Sequence, residues 1–134
     1  MRSSTLSVQL NHTVVSAVDN QKSAAFLADI LGLEVGRPLG PFIPVTLDNG
    51  VTLDFAMVAA GADIHPQHYA FLVSDEVFDA AFAKIVERGL TYWPDPRQSR
   101  ENEINHNDGG RGFYFLDPCG HFLELITVPY GGWN

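Results

Sequence analysis

Gly112-Phe113-Tyr114-Phe115-Leu116-Asp117-Pro118-Cys119-Gly120-His121-Phe122-Leu123-Glu124-Leu125 is two aromatic and aliphatic runs joined by an Asp-Pro-x-Gly turn. Such runs on either side of a turn read as antiparallel strands. Side chains alternate along a strand, so if Leu123 and Leu125 face a packed layer, Phe122, Glu124 and Ile126 face the other side. The five-residue turn also sets Tyr114 opposite Glu124 on one face.

An earlier stretch, Leu47-Asp48-Asn49-Gly50-Val51-Thr52-Leu53-Asp54-Phe55, has the same pattern around Asn-Gly, a strong hairpin signal. In it Asp54 holds the place of Glu124. Working outward, residues 9–15 predict a strand, and Asp19 caps a helix running to Leu31, where Gly32 ends it. Phe26, Leu27, Ile30 and Leu31 give that helix one apolar stripe. Strands over 42–47 and 51–58 follow. The order then restarts with a strand over 68–73 and a helix capped by Asp75 that reaches Arg88, with Val77, Phe78, Ala81, Phe82, Ile85 and Val86 as its stripe. Strands over 90–93, 112–116 and 122–128 complete it, interrupted by a polar loop over 94–111 that reads equally as a lid or substrate contact and as a mobile surface loop. His12 and His68 are 56 positions apart, as are Asp19 and Asp75, which points to an internal two-fold repeat. The fold class expected is α+β, in a single domain over 1–134 whose modules cover about 7–60 and 66–130.

The 134 residues are 46% hydrophobic, so one core suffices without metal or disulfide, and the single cysteine forbids an intrachain bridge. Sixteen Asp+Glu against eight Lys+Arg give a net charge of −8, which disfavours nucleic acid and anionic membrane surfaces as partners. The segment MRSSTLSVQLNHTVV has no apolar run of signal length. A soluble, cytoplasmic protein is expected.

His12, His68 and Glu124 each fall inside a strand and are candidate metal ligands. Any one of such histidines, taken alone, reads as a hydrogen-bonded structural residue. Their repeat changes that weighting, because pairing of two equivalent halves would bring equivalent positions together. One divalent cation would satisfy two imidazoles and a carboxylate that are costly to desolvate singly. Cys119 has no base spaced to activate it and reads as a bystander. His121 reads as a turn or surface residue, and Arg97 and Arg100 as solvated loop charges, either of which could also pair with a carboxylate substrate. Tyr130 and Trp133, in the segment 129–134, are expected to pack over the cleft or across a dimer.

Over essentially the whole chain, the segments Leu10-Asn11-His12-Thr13-Val14-Val15, Ile30-Leu31-Gly32-Leu33, His68-Tyr69-Ala70-Phe71 and 112–125 resemble the vicinal oxygen chelate superfamily. That superfamily includes glyoxalase I, fosfomycin resistance enzymes, bleomycin resistance proteins and extradiol dioxygenases. The resemblance implies two βαβββ modules whose curled mixed sheets surround a metal cleft, with helices on the outer face. It implies a divalent metal held by His12, His68 and Glu124, with open positions for adjacent oxygens of a small-molecule substrate, and a homodimer. Asp54 would stand where glyoxalase I-like members carry a fourth ligand, though it is one methylene shorter than Glu.

A narrower resemblance runs through Ile104-Asn105-His106, Phe113-Tyr114, Asp117-Pro118, Gly120 and Glu124, which is similar to the signature of extradiol ring-cleaving dioxygenases. It implies catalytic roles for His106 and Tyr114. Two histidines and one carboxylate suit non-haem Fe(II), with Mn, Zn or Ni as further choices. Most such dioxygenases have four modules where this chain has two, and nothing in its spacing makes His65 their additional acid-base histidine. The loop that holds His106 and Arg111 reads equally as an anion-binding segment, which makes Arg111 a candidate substrate contact. Extradiol-type oxygenation is the first expectation. Glyoxalase I-like isomerisation and a metal-free bleomycin resistance-like binding role are the alternatives.

Overall fold

Asp19 lies in extended backbone and its carboxylate accepts the Lys22 N–H, starting helix α1, Asn20–Leu31. Gly32 ends it at φ 71°, a left-handed position that suits glycine. The second helix, α2, Asp75–Glu87, is capped by Ser74 rather than Asp75. The Ser74 hydroxyl accepts the Val77 N–H, which leaves Asp75 and Glu76 in the first turn, where negative charge suits the helix dipole.

In this computed structural model, which describes residues 7–131, the strands are β1 His12–Ala17, β2 Ile43–Thr46, β3 Thr52–Met57, β4 His68–Leu72, β5 Gly112–Leu116 and β6 Phe122–Ile126. They form two three-stranded mixed sheets of identical topology, β1-β3-β2 and β4-β6-β5. In each, the strand before the helix runs parallel to the last strand of its module, and the closing hairpin is antiparallel. The α+β class and the two-module repeat are as the sequence indicates. The strand expected over 90–93 shrinks to the single bridge Trp93↔Tyr114, and Val35↔Val45 is its counterpart in module one. Prolines at 38 and 41, and at 94 and 96, lack the N–H a longer ladder needs. Strand β1 sits two to three residues later than expected because its partner β3 starts at Thr52, so Leu10 has nothing to pair with. Residues 132–134, with Trp133, lie outside the described part.

Alternation sends Val15, Leu53 and Phe55 from one sheet, and Phe113, Phe115, Leu123 and Leu125 from the other, into one core with Leu27 and Ile30 of α1 and Phe78 and Ile85 of α2. Phe78 meets Phe113 edge-on at 5.2 Å, and Phe26 of module one meets Phe115 of module two at 6.2 Å. Among the described residues no helix is long and apolar enough to cross a membrane.

The Asp-Pro-x-Gly turn forms the seam between modules. One Asp117 oxygen accepts the Cys119 and His121 N–H groups at 2.8 and 2.9 Å. His121 is fully buried, not at the surface: its Nδ1 accepts the Gln67 N–H at 2.9 Å and its Nε2–H donates to the Ser16 carbonyl at 2.8 Å. Those two bonds select the neutral tautomer protonated at Nε2. Cys119 also belongs to the seam, its Sγ accepting the Val18 N–H at 3.3 Å. On the helix side, Lys84 of α2 and Arg88, which caps its C-terminus, bind the carbonyl and carboxylate of Asp29 in α1.

His121→Ala leaves two part-buried backbone groups unpaired and opens a void at a fully buried side chain, so we expect it to lower stability by about 2 kcal/mol in chemical denaturation. The hydrogen bond from Arg88 holds the Asp29 carboxyl below its ordinary 3.8. A depressed carboxylate stabilises above its unfolded pKa and loses that contribution as pH falls through the folded one. Thermal melts of the wild type and Asp29→Asn should therefore differ slightly at pH 7 and converge in acid.

Candidate metal centre

Three strands of module two set the site. Register pairs Tyr114 and Ala70 with Glu124 from either side, and His68, two residues before Ala70, stands diagonal to the same carboxylate. Alternation keeps all three off the core face. His68 Nε2 lies 2.8 Å from Glu124 Oε1, so the two atoms that would share a cation already point at each other. Glu124 is only 8% exposed, while the His68 side chain is half open to solvent. The Tyr114 ring is 5.5 Å from that of His68. Burial above all, then the neighbouring Glu124 carboxylate, raises the Tyr114 phenol well above 10.0 and keeps it a hydrogen-bond donor.

His12 is on the other sheet. It shares the non-core face of module one with Thr52 and Asp54, by the pairings His12↔Thr52 and Val14↔Asp54. Its Nδ1–H donates to Asn11 Oδ1 at 2.7 Å, which leaves Nε2 as the unprotonated nitrogen on an exposed side chain, the form that binds metal. One Asp54 oxygen is buried without a hydrogen-bond partner. Among the described residues no three His, Cys, Asp or Glu side chains gather closely enough to hold a metal ion. The two helices and the seam face both sheets inward on one core, which turns the ligand-bearing faces apart. One chain thus brings together His68 and Glu124 and holds His12 away from them. Neutral imidazole nitrogens and a nearly buried carboxylate remain the donor types a divalent cation takes.

Beside Glu124 lies a recess of about 70 Å³ lined by Asn105, Asn107, Asp108, Arg111, Tyr114, Ile126, Val128 and Tyr130. The long polar loop therefore does reach the site. The bridge Asn105↔Gly112 puts Asn105 on the Tyr114 side, while His106, in non-extended backbone at φ −124° and ψ 39°, is exposed and absent from the recess wall. Arg111 contributes to the wall, but its guanidinium is committed to α2, donating at 2.8 Å to both Asp79 and Asp75 and lying 4.3 Å over the Phe78 ring. Two carboxylates and an aromatic face already engage the guanidinium that the sequence offers as a substrate contact. Asn105 and Asn107 went unassigned in the sequence, whereas Tyr130, expected over the cleft or across a dimer, borders the recess and stays exposed. Only the alternation across Asn105 and Gly112 carried a signal for the first. A larger hollow of about 510 Å³ lies at the seam between the first hairpin and β4, and neither His68 nor Glu124 lines it.

Residues 9–125 match the model of the Glyoxalase/Bleomycin resistance protein/Dioxygenase superfamily. The chain belongs to that superfamily. Within it, the solved structure of Oxidase ChaP-H2 is 61% identical, with a TM-score of 0.91 over 95% of this chain and 98% of that one. Glutathione transferase FosA of Serratia marcescens is 34% identical over 87% of this chain and 78% of its own. Metallothiol transferase FosB of Lysinibacillus sphaericus (strain C3-41) is 26% identical over 88% of this chain and 81% of its own. The superfamily relatives thus include enzymes of oxidase and of thiol-transferase name.

Because burial is the larger cause, removing the charge of Glu124 corrects the Tyr114 phenol only in part. We expect Glu124→Gln to move the Tyr114 transition down without returning it to 10.0, read in metal-free protein as the ultraviolet difference between each protein and its Tyr114→Phe counterpart.

Proposed function

We propose that this protein is a metal-dependent oxidative enzyme of the extradiol dioxygenase type, acting on a neutral small molecule with adjacent oxygens. The observation that carries this reading is the chemistry of the ligand-bearing faces. Module two presents His68, Glu124 and the phenol of Tyr114, and none of the six strands in either sheet carries a lysine or arginine. Arg111, just before β5, is held by Asp75 and Asp79. Among the described residues, sheet faces with no lysine or arginine are poorly suited to a phosphonate or to the carboxylates of glutathione, and well suited to an uncharged diol. The 61% identity to Oxidase ChaP-H2, against 34% to the glutathione transferase, supports the same choice. A metal-free binding role is less suited still, since it gives no purpose to a nearly buried carboxylate beside an imidazole.

In this reading His68 and Glu124 hold the cation together with His12 of a second copy, as a homodimer. Each sheet leaves apolar side chains on its open face, Val14 in module one and Leu72 and Leu116 in module two. Covering one face with the other buries both sets, and the helix packing within a chain keeps its own two faces apart. A bound cation would supply Lewis acidity and, as Fe(II), a path for electrons from the diol to dioxygen. Tyr114 donates its hydroxyl to a substrate oxygen, Asn105 and Asn107 add polar contacts, and Ile126 and Val128 limit water at that end.

Metal analysis and oxygen-electrode assays test the reading. Purified protein is expected to carry or take up Fe(II) and to consume oxygen with catechols, and His68→Ala and Glu124→Gln to lower metal affinity about a hundredfold. Thiol addition to a phosphonate substrate without oxygen uptake would sink the proposal.

A further inference from the structure

Asp54 is to sheet one what Glu124 is to sheet two. Its neighbours across the ladders are Val14 and Pro44, where those of Glu124 are Ala70 and Tyr114. Each carboxylate lies one diagonal from the histidine that begins its edge strand. In sheet two that diagonal is closed by the 2.8 Å contact of His68 with Glu124. In sheet one His12 is engaged with Asn11, and one Asp54 oxygen is buried with no partner, the single such side-chain atom among the described residues.

The surroundings offer this oxygen nothing. Val14 and Ala56 are apolar, Pro44 has no N–H, and the hydroxyls of Thr46 and Thr52 pair with each other at 3.2 Å. A buried acceptor left empty carries its full desolvation penalty, so a position that keeps one is disfavoured unless a donor arrives from outside the fold. An ammonium group would have to shed its own hydration against Val14, Pro44 and Ala56, whereas a hydroxyl loses little there.

We propose that Asp54 is a substrate-binding residue that accepts a hydrogen bond from a hydroxyl of a neutral, oxygenated aromatic substrate. The proposal rests on the metal-dependent reading above and adds a polar anchor to it from module one. It also separates Asp54 from the metal: its carboxylate reaches about 1.5 Å less far than a glutamate would from the same strand position.

The test compares wild type, Asp54→Asn and Asp54→Val in three measurements: titration with Zn(II) alone, melting of the metal-free protein, and absorbance titration of the Zn(II)-loaded protein with 4-nitrocatechol. Zn(II) affinity is expected to stay within about threefold. Probe binding should weaken about tenfold in Asp54→Asn, which keeps a carbonyl acceptor, and about a hundredfold in Asp54→Val. The melting temperature of Asp54→Val should hold or rise, since the variant removes a buried unpaired acceptor. A tenfold loss of Zn(II) affinity in both variants would make Asp54 a ligand and overturn the assignment. So would a lowered melting temperature with unchanged probe binding, which marks a structural role. If the wild type fails to bind the probe, the oxidative reading falls and this one with it; if wild type and variants bind it equally, only the role of Asp54 falls.

Discussion

Strand alternation is the constraint on which the rest of this structure depends. Leu53 and Phe55, like Leu123 and Leu125, must meet the helices, because burying each such side chain stabilises by about 2 kcal/mol and no other apolar layer is at hand. Once those residues are inside, Asp54 and Glu124 are on the outside of the core by geometry alone. The ligand-bearing faces are thus a by-product of core packing and need no separate folding energy. A one-residue slip of β6 would bury Glu124 among phenylalanines and expose both leucines, so the position of the carboxylate is as firmly set as the core itself.

The way the modules join follows from the same rule. Both sheets offer their apolar faces to one shared core, so within a chain the polar faces are turned apart, and the seam is closed by groups at the strand ends. The 112–125 segment serves both purposes. Its strands set the phase of Glu124, and its turn supplies His121 and Cys119 to the backbone of module one at Ser16 and Val18. The first hairpin, with Asn49-Gly50 in its turn, has no imidazole or thiol to do the same, and the hollow between it and β4 is the counterpart of the seam that His121 fills.

Much of this was legible in the sequence. Periodicity located both helices, and the hairpin signals located β2, β3, β5 and β6 within a residue or two. The facing of Glu124, Tyr114 and His68 followed from alternation, which is a local property. What was not legible was non-local. Nothing in the pattern around His121 announces that Ser16, 105 positions away, needs a donor. Arg111 read as a free cation because its partners Asp75 and Asp79 lie on a helix more than 30 residues earlier. The helix cap was misplaced by one residue because Ser74 and Asp75 are both competent caps, and only the backbone conformation distinguishes them. His106 followed a motif spacing, whereas the bridge between Asn105 and Gly112 turned the neighbouring asparagine to the site instead.

The repeat also explains why the two carboxylates differ although their positions do not. A glutamate at the sheet-two position reaches the histidine diagonal to it, and the pair is poised for a shared cation. An aspartate at the sheet-one position stops short, and the histidine beside it has turned to Asn11 with Nε2 free. Two equivalent histidines have therefore been given different company. One has a carboxylate of its own chain; the other has an open nitrogen and no carboxylate in contact. A duplicated module with identical halves would make two equal half-sites competing for the same ion. Shortening one carboxylate by a methylene breaks that equivalence: the longer one meets the histidine of its own sheet, and the shorter one keeps a buried oxygen without a partner.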